Sequence, residues 1–439
     1  MASGVETAEP MVRRGLPPRA DERLETIRDK LVRGERLSLG DGDVLYTTPD
    51  IWGLCELADM VRRRLHGEAA YYNINRHFNY SNVCALSCKF CEFYRKQGDE
   101  GSYTRDLEYA REQARLAVEN GATEMHIVGG LHPYLPFEYY TDLLRALRET
   151  APSLHLKAFT AVEIVHLAKI AKVYKANERR EGIRWVLERL KEAGLGSLPG
   201  GGAEVFDDRV HDEAYKGKIR SDVWLDVHRV AHELGLNTNA TILYGHIEDR
   251  AERLVHMDML RRAQDEALLR LGYQPDASGA VTLTRRGVRA PTPAMNGLKA
   301  RPATEPTGGY FQTIIPLPFF PDGSELEHLS GPSGIENLRT LAISRLMLDN
   351  FPHVKAFWIM QTLGMAQMML QAGADDIDGT VVWYDITKVG GAGTHQETTV
   401  WDLQKAIREA GFVPVERDTL YRRVEREAGD GKKWRVVDK

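Results

Sequence analysis

Apolar residues along this chain recur with two periods in turn, one near 3.6 and one near 2. Leu24, Ile27 and Leu31 have helical spacing, and Ile51, Leu54, Ala58 and Val61 give one apolar face to a second helix, from about Asp50 to Leu65. Residues 71–79, Tyr-Tyr-Asn-Ile-Asn-Arg-His-Phe-Asn, alternate and are rich in β-formers, which predicts a strand running into a loop. Leu107, Ala110, Ala114, Ala117 and Val118 then mark a helix stopped at Asn120-Gly121. Residues 124–130 read as a short strand with a glycine turn, and Phe137, Tyr140, Leu144 and Leu147 as the next helix. This strand-then-helix unit recurs. Further strands are expected at 155–161, 196–199, 237–244, 310–316, 353–358 and 377–382. Between them lie helices carrying Ile183, Val186, Leu187 and Leu190, then Trp224, Val227, Ala231 and Leu234 behind a Ser221 cap.

Eight such units favour an α/β fold of the closed (β/α)8, TIM-type class over an open doubly wound sheet. The organisation that follows is a polar lead-in over 1–19, N-terminal helices over 20–70 packed on the barrel, the barrel over 71–400, and a C-terminal extension over 401–439 with a helix and a strand near Val413 to Val415. Residues 273–307 carry five prolines and few large apolar residues, so they read as a mobile insertion. Because the insertion leads into the strand at Tyr310, its ends belong at the face away from the chemistry. In a barrel of this kind, loops leaving the C-terminal ends of strands build the active site. Those loops hold Gly129-Gly130, His132, Glu163, the run Gly200-Gly201-Gly202 with Glu204, His246, and the run from Gly390 to His395.

Bulk composition narrows the classes. With 43% hydrophobic and 28% charged residues the balance is that of a globular protein, and a net charge of −5 without a dense basic block argues against nucleic acid as a partner. No run of eighteen apolar residues predicts a membrane span, and the N-terminus lacks the order of a secretory signal. Four cysteines, three of them clustered, fit a reducing cytoplasm better than a disulfide framework.

Those three cysteines carry the chemistry. Cys84, Cys88 and Cys91 fall in the loop that leaves the strand at 71–79. A tight loop offering three thiolates suits an iron–sulfur cube with one iron left without a protein ligand. The zinc alternative needs four closed ligands, and only Cys55, with His77 as a helper, is left over. Cys55 itself reads as a buried small apolar residue.

The three-then-two spacing, with Phe90 immediately before the third cysteine, resembles the radical S-adenosylmethionine (SAM) enzymes. That resemblance implies a [4Fe-4S] cluster whose unique iron chelates SAM, and an electron that cleaves SAM to methionine and a 5'-deoxyadenosyl radical. It also implies Phe90, Gly129 and Gly130 at the cofactor, with the Gly-Gly pair near the methionyl amino group; Leu131 stands where many members have Glu, and Glu163, a strand-end carboxylate facing the mouth, is placed at the cofactor by its position. Residues 126–133, 135–140, 157–164, 198–204, 239–246 and 344–349 together resemble the aminofutalosine synthase family over about residues 50–420.

The resemblance implies addition of the adenosyl radical to 3-[(1-carboxyvinyl)oxy]benzoate, giving 6-amino-6-deoxyfutalosine, methionine and carbon dioxide in menaquinone biosynthesis. SAM is then a consumed co-substrate, and a reduced flavodoxin or ferredoxin-type protein the electron donor. Candidate catalytic residues are His132, Glu163, Glu204 and His246, with Arg76 or Arg209 for the substrate carboxylates. Two alternatives stand beside this reading: dehypoxanthine futalosine cyclase, which shares the triple glycine, and a non-enzymatic iron–sulfur carrier or sensor.

Overall fold

The computed structural model describes residues 21–283, 308–381 and 397–437. Two short strands, β1 (Ala69–Asn73) and β2 (Asn75–Phe78), stand where the pattern predicts one. They are followed by β3 (Glu124–Ile127), β4 (His155–Ala158), β5 (Ser197–Leu198), β6 (Asn237–Tyr244), β7 (Phe311–Pro318) and β8 (His353–Val354). Strands β2 to β8 form one parallel sheet in sequence order, with helices in the connections.

The eighth expected strand, at 377–382, is β9 (Asp376–Gly379) and lies outside that sheet. It pairs with β1, which is flanked on its other edge by β10 (Val413–Glu416). β9 nevertheless bridges the open side of the curl. Asp375 N donates to Val354 O at 3.1 Å, Ala356 N to Asp376 O at 2.8 Å, and Tyr71 N to Asp375 O at 2.7 Å. The chain changes partner at Ile74, whose carbonyl accepts from Thr123 N at 2.8 Å, so the lower half pairs with β9 and β10 and the upper half with β3. This partner change splits the predicted strand.

Register stacks the barrel interior in layers. His77 on β2, His126 on β3 and Lys157 on β4 are directly paired across the three strands. Glu124 lies two residues before His126 and so faces the same side one layer lower. These layers are charged. Lys157 Nζ sits 2.8 Å from both Glu124 oxygens, Lys355 Nζ 2.6 Å from Asp378 Oδ1, and Arg417 Nε 2.6 Å from Asp376 Oδ2.

The predicted helical faces are largely those that are buried. Helix Arg23–Arg33 buries Leu24, Ile27 and Leu31, and helix Ile51–His66, capped by Asp50 accepting from Gly53 N, buries Leu54, Ala58 and Val61. Ser221 is not a cap. It is the first residue of helix Ser221–Glu233, the N-cap is Arg220, and no side chain closes that end. Beyond β10 the chain adds an antiparallel hairpin, β11 (Val424–Glu427) and β12 (Asp430–Val436), that the pattern does not predict.

The start of the insertion is held, contrary to the expectation of mobility over 273–307. Ala280, Val281 and Leu283 are buried, Val281 N donates to Asp265 Oδ1 at 3.0 Å, and Thr282 Oγ1 to Asp349 Oδ2 at 2.6 Å. Arg36 bridges the same two carboxylates from the N-terminal segment, at 2.6 Å and 3.0 Å. Asp349 precedes β8, so this attachment is at the strand-entry end of the barrel, as the topology requires. Residues 284–307, the lead-in over 1–19 and the run from Gly390 to His395 lie outside the described residues. Among the described residues no helix is long and apolar enough to cross a membrane.

Several histidines are folded away neutral. Burial pushes His66, His228 and His256 down to about 3 and His77 to about 4. With folded values below the unfolded value near 6.5, the unfolded chain binds more protons as pH falls, so their contribution is full above pH 6.5 and is lost on acidification. Each costs about 2 kcal/mol at pH 5. Glu163, raised to about 7, acts the other way, so the melting temperature should hold between pH 8 and 7 and fall by about 5 °C by pH 5 in a thermal scan; a flat profile to pH 5 contradicts neutral burial.

Candidate active site

The C-terminal ends of the strands open into a cavity of about 320 Å³. Cys84, Cys88 and Cys91 line one side of it, Gly129 and Gly130 an adjacent side, and Gly200, Gly201 and Gly202 the next. With Thr160 and Glu163 after β4, Phe319 and Asp322 after β7, and Phe357 and Met360 after β8, six strand-end loops contribute to one mouth, the convergence that barrel topology predicts.

The cysteine loop is tied down by backbone. Ala85 N donates to Leu131 O at 2.9 Å, Cys84 N to Arg95 O at 3.0 Å, and Lys89 N to Ala214 O at 3.0 Å. Lys96 Nζ reaches the carbonyls of Cys84 and Leu86 at 3.1 and 2.9 Å. Two amides, those of Leu86 and Leu131, point at Cys84 Sγ from 3.4 Å. Burial pushes the Cys88 thiol up to about 11, against the pull of Lys218. A bare thiolate is therefore costly here, and a bound metal would supply the opposing charge. Three unbridged thiols around one cavity, with amides aimed at a sulfur, fit a cluster held by three protein ligands. Cys55 is buried in helix Ile51–His66 and does not line the cavity, so it is not a fourth ligand.

Glycine is required beside this loop by contact. A Cβ on Gly130 would lie 2.3 Å from Val83 O, and one on Gly129 would lie 2.6 Å from the Tyr80 ring. Glu163 holds the pair from below. As N3 of the capping box that opens helix Ala161–Ile170, it accepts from Thr160 N and Thr160 Oγ1 at 2.8 and 2.7 Å through Oε2, and from Gly129 N and Tyr80 OH at 3.1 and 2.8 Å through Oε1.

Burial pushes Glu163 up to about 7 despite these four donors. Protonation is accommodated because Tyr80 OH also lies 3.1 Å from Gly130 O and can donate there while accepting from Glu163. Glu163→Gln keeps the shape without the charge, but its amide nitrogen cannot accept, so one backbone N–H, of Gly129 or Thr160, loses its partner at a cost of about 1–2 kcal/mol. Glu163→Ala orphans several buried donors and should cost about 3 kcal/mol in a denaturant titration. Equal loss in both variants contradicts this account.

Glu204, at φ 47, accepts from Lys218 Nζ at 2.5 Å, and that ammonium lies 4.8 Å over the Phe90 ring. Burial opposes the Lys218 charge, but Glu204 and Cys88 outweigh it and raise its pKa. Phe90 lines the cavity and packs edge-on to Tyr215 at 5.9 Å.

Four other expectations are corrected. His132 does not line the cavity; its Nδ1 accepts from Tyr134 N and Leu135 N, both at 3.2 Å, which shapes its own loop. His246 lies behind Phe90 with Nε2 3.1 Å from Leu243 O and Nδ1 3.4 Å from Glu248, away from the cavity lining. Arg76 is turned to Gln113 at 2.5 Å, on the outward side of β2. Arg209 is half exposed and paired with Glu252 at 2.7 Å. In each case a nearer protein partner takes the side chain.

The polar groups that do line the floor are His77, His126, Lys157, Asn239, Thr241, Lys355 and Asp378. They sit within or just beyond strands rather than in the loops. Their signal was polar residues at every second strand position, as in Asn75 and His77, Glu124 and His126, or Asn239 and Thr241.

Residues 78–260 match the model of the Radical SAM superfamily, and residues 308–428 that of the CofH/MqnC C-terminal region. The chain is 41% identical over 408 residues to an aminodeoxyfutalosine synthase of Thermus thermophilus, covering 92% of this chain and 96% of that one. It is 40% identical over 406 residues to one of Streptomyces coelicolor, covering 90% and 92%. In fold it is similar to the crystal structure of methylornithine synthase, with a TM-score of 0.62 at 14% identity, covering 88% of this chain and 97% of that one.

Proposed function

Since this chain belongs to the aminodeoxyfutalosine synthase family of radical SAM enzymes, we propose that its cavity joins the adenosyl carbon of SAM to an aromatic enol ether, 3-[(1-carboxyvinyl)oxy]benzoate. The product is 6-amino-6-deoxyfutalosine, with methionine and carbon dioxide released, in the route to menaquinone. A bound [4Fe-4S] cluster with SAM supplies the 5'-deoxyadenosyl radical for this chemistry. The observation that carries the reading is the meeting of three thiols, a glycine-lined wall and a polar floor with two lysines in one cavity.

Each part of the wall has work suited to its chemistry. Cys84, Cys88 and Cys91 would hold the cluster, and the N–H groups directed at Cys84 would moderate the charge on its sulfur. Gly129 and Gly130 let backbone polar groups approach a ligand without a side chain intervening, and Glu163 keeps that backbone in place. The Lys218–Glu204 pair fixes Phe90 against the cysteine side of the cavity. The apolar side chains of Leu243, Ile315, Leu317 and Phe357 enclose the remaining wall and limit the hydrogen donors and water that a carbon radical could meet. A reduced flavodoxin or ferredoxin-type protein supplies the electron from outside.

The test is anaerobic reconstitution with iron and sulfide, followed by SAM, reductant and the enolpyruvyl benzoate. An adenine-bearing adduct with methionine in equal amount is expected. 5'-Deoxyadenosine formed only with dehypoxanthinylfutalosine favours the cyclase instead, and an intact cluster that never cleaves SAM favours a carrier.

A further inference from the structure

We infer that Lys157, in one row with His77 and His126, is the seat for the aryl carboxylate of the substrate. This inference rests on the proposed function for the identity of the ligand, and on the barrel interior for the place. The three residues are in register on β4, β2 and β3, each one residue before the end of its strand. They therefore form a shelf below the loops that carry the cysteines and Gly129-Gly130. All three line the cavity.

The shelf combines a row of stacked aromatic rings with one positive charge turned towards the cavity. His77 and His126 are stacked with ring centroids 4.6 Å apart at 27°, and Phe357 continues the stack beyond His77 at 6.3 Å and 20°. Burial holds both imidazoles well towards the neutral form, so the stack turns uncharged ring edges to the cavity. A benzoate ring can pack against those edges in the edge-to-face manner.

Two ammonium groups lie on the floor, and their partners decide between them. Lys355 is paired with Asp378, which also lines the cavity, so that pair presents both signs to a ligand. Lys157 is paired with Glu124, which lies one layer lower and does not line the cavity. The ammonium thus stands between its carboxylate and the ligand space. It uses two of its three N–H donors on Glu124. A carboxylate arriving from above meets the positive end of the pair.

Substrate chemistry sets which carboxylate this is. The enol carboxylate is attached to the carbon framework that reacts with the adenosyl carbon, so it must lie near the cysteine and glycine loops. The ring carboxylate is the far end of the same molecule, and a shelf one layer below the mouth suits it.

The test uses the cluster-loaded enzyme and two small probes. By calorimetry, 3-methoxybenzoate should bind the parent enzyme while 3-methoxybenzamide, equal in shape but uncharged, should bind at least about tenfold more weakly. Lys157→Met should abolish that preference and raise KM for the enolpyruvyl benzoate by about 10- to 100-fold. Because Lys157→Met leaves Glu124 as a lone buried charge, Glu124→Gln with Lys157→Met is made as well. This double variant should regain the parent melting temperature and still show no preference for the carboxylate. Parent-like carboxylate binding in the folded double variant overturns the inference. If the parent enzyme prefers the carboxylate yet makes no adenine adduct, the proposed reaction fails and the seat stands.

Discussion

Cys88→Ala is expected to leave a folded barrel that retains little iron and turns over more than about a thousandfold more slowly. Of the three thiols Cys88 is the most enclosed, at 5% exposure, and it sits in the field of Lys218 between the sulfurs on either side. Removing it leaves two ligands, too few to hold the cube in place, while the loop keeps the backbone bonds of Ala85, Cys84 and Lys89 that fix its course. The melting temperature of the metal-free protein should therefore move by only a few degrees, since the deleted sulfur contributes about 1–2 kcal/mol of burial. Cys55→Ala provides the contrast. It removes the same atom from a buried helix face and should lower stability by a similar amount, with iron content and turnover intact. Iron analysis, SAM cleavage and thermal melting on both variants separate the two roles. Turnover at the parent rate in Cys88→Ala, or loss of iron in Cys55→Ala, reverses the assignment.

The barrel was legible in the sequence because its strands and several of its helices show their own period, and helix faces such as Leu24, Ile27 and Leu31 are buried as spaced. What the period could not reveal was partner choice. Residues 71–79 look like one strand, and only the three-dimensional arrangement makes Ile74 a switch from β9 and β10 to β3. The site divided along the same line. Cys84, Cys88 and Cys91 declare themselves by spacing, since a loop of that length must gather them, and they do line one cavity. His132 and His246 stand in loops of the same kind, but a loop histidine can be taken by its own backbone, and Tyr134 N and Leu243 O take these two while neither lines the cavity. Lys157 went unmarked for the opposite reason. Inside a strand it resembles an interruption, and only barrel closure turns the alternate polar positions inward.

Gly130→Ala should come close to Cys88→Ala in its effect on turnover, although it touches no ligand atom. The added Cβ would stand 2.3 Å from Val83 O and 2.7 Å from Val83 C, both backbone atoms that cannot rotate aside. Gly130 is also fixed on its own side, its N–H donating to Ser81 O at 2.8 Å, so the strand end and the start of the cysteine loop must separate. The next link is Leu131, whose carbonyl accepts from Ala85 N at 2.9 Å and whose amide lies 3.4 Å from Cys84 Sγ. A displacement of about 1 Å there shifts one ligand relative to the other two, and misplacement on that scale can cost about a hundredfold in rate. We expect turnover to fall by at least that factor, the cluster to be lost more readily on exposure to chelator, and stability to drop by about 2–3 kcal/mol from overpacking. Gly201→Ala is the control. A Cβ there would meet only the Thr160 methyl at 3.1 Å, and its effect on stability should stay below about 1 kcal/mol. If Gly130→Ala keeps its cluster and its rate, the coupling from the glycine pair to Cys84 is not the one that these contacts describe.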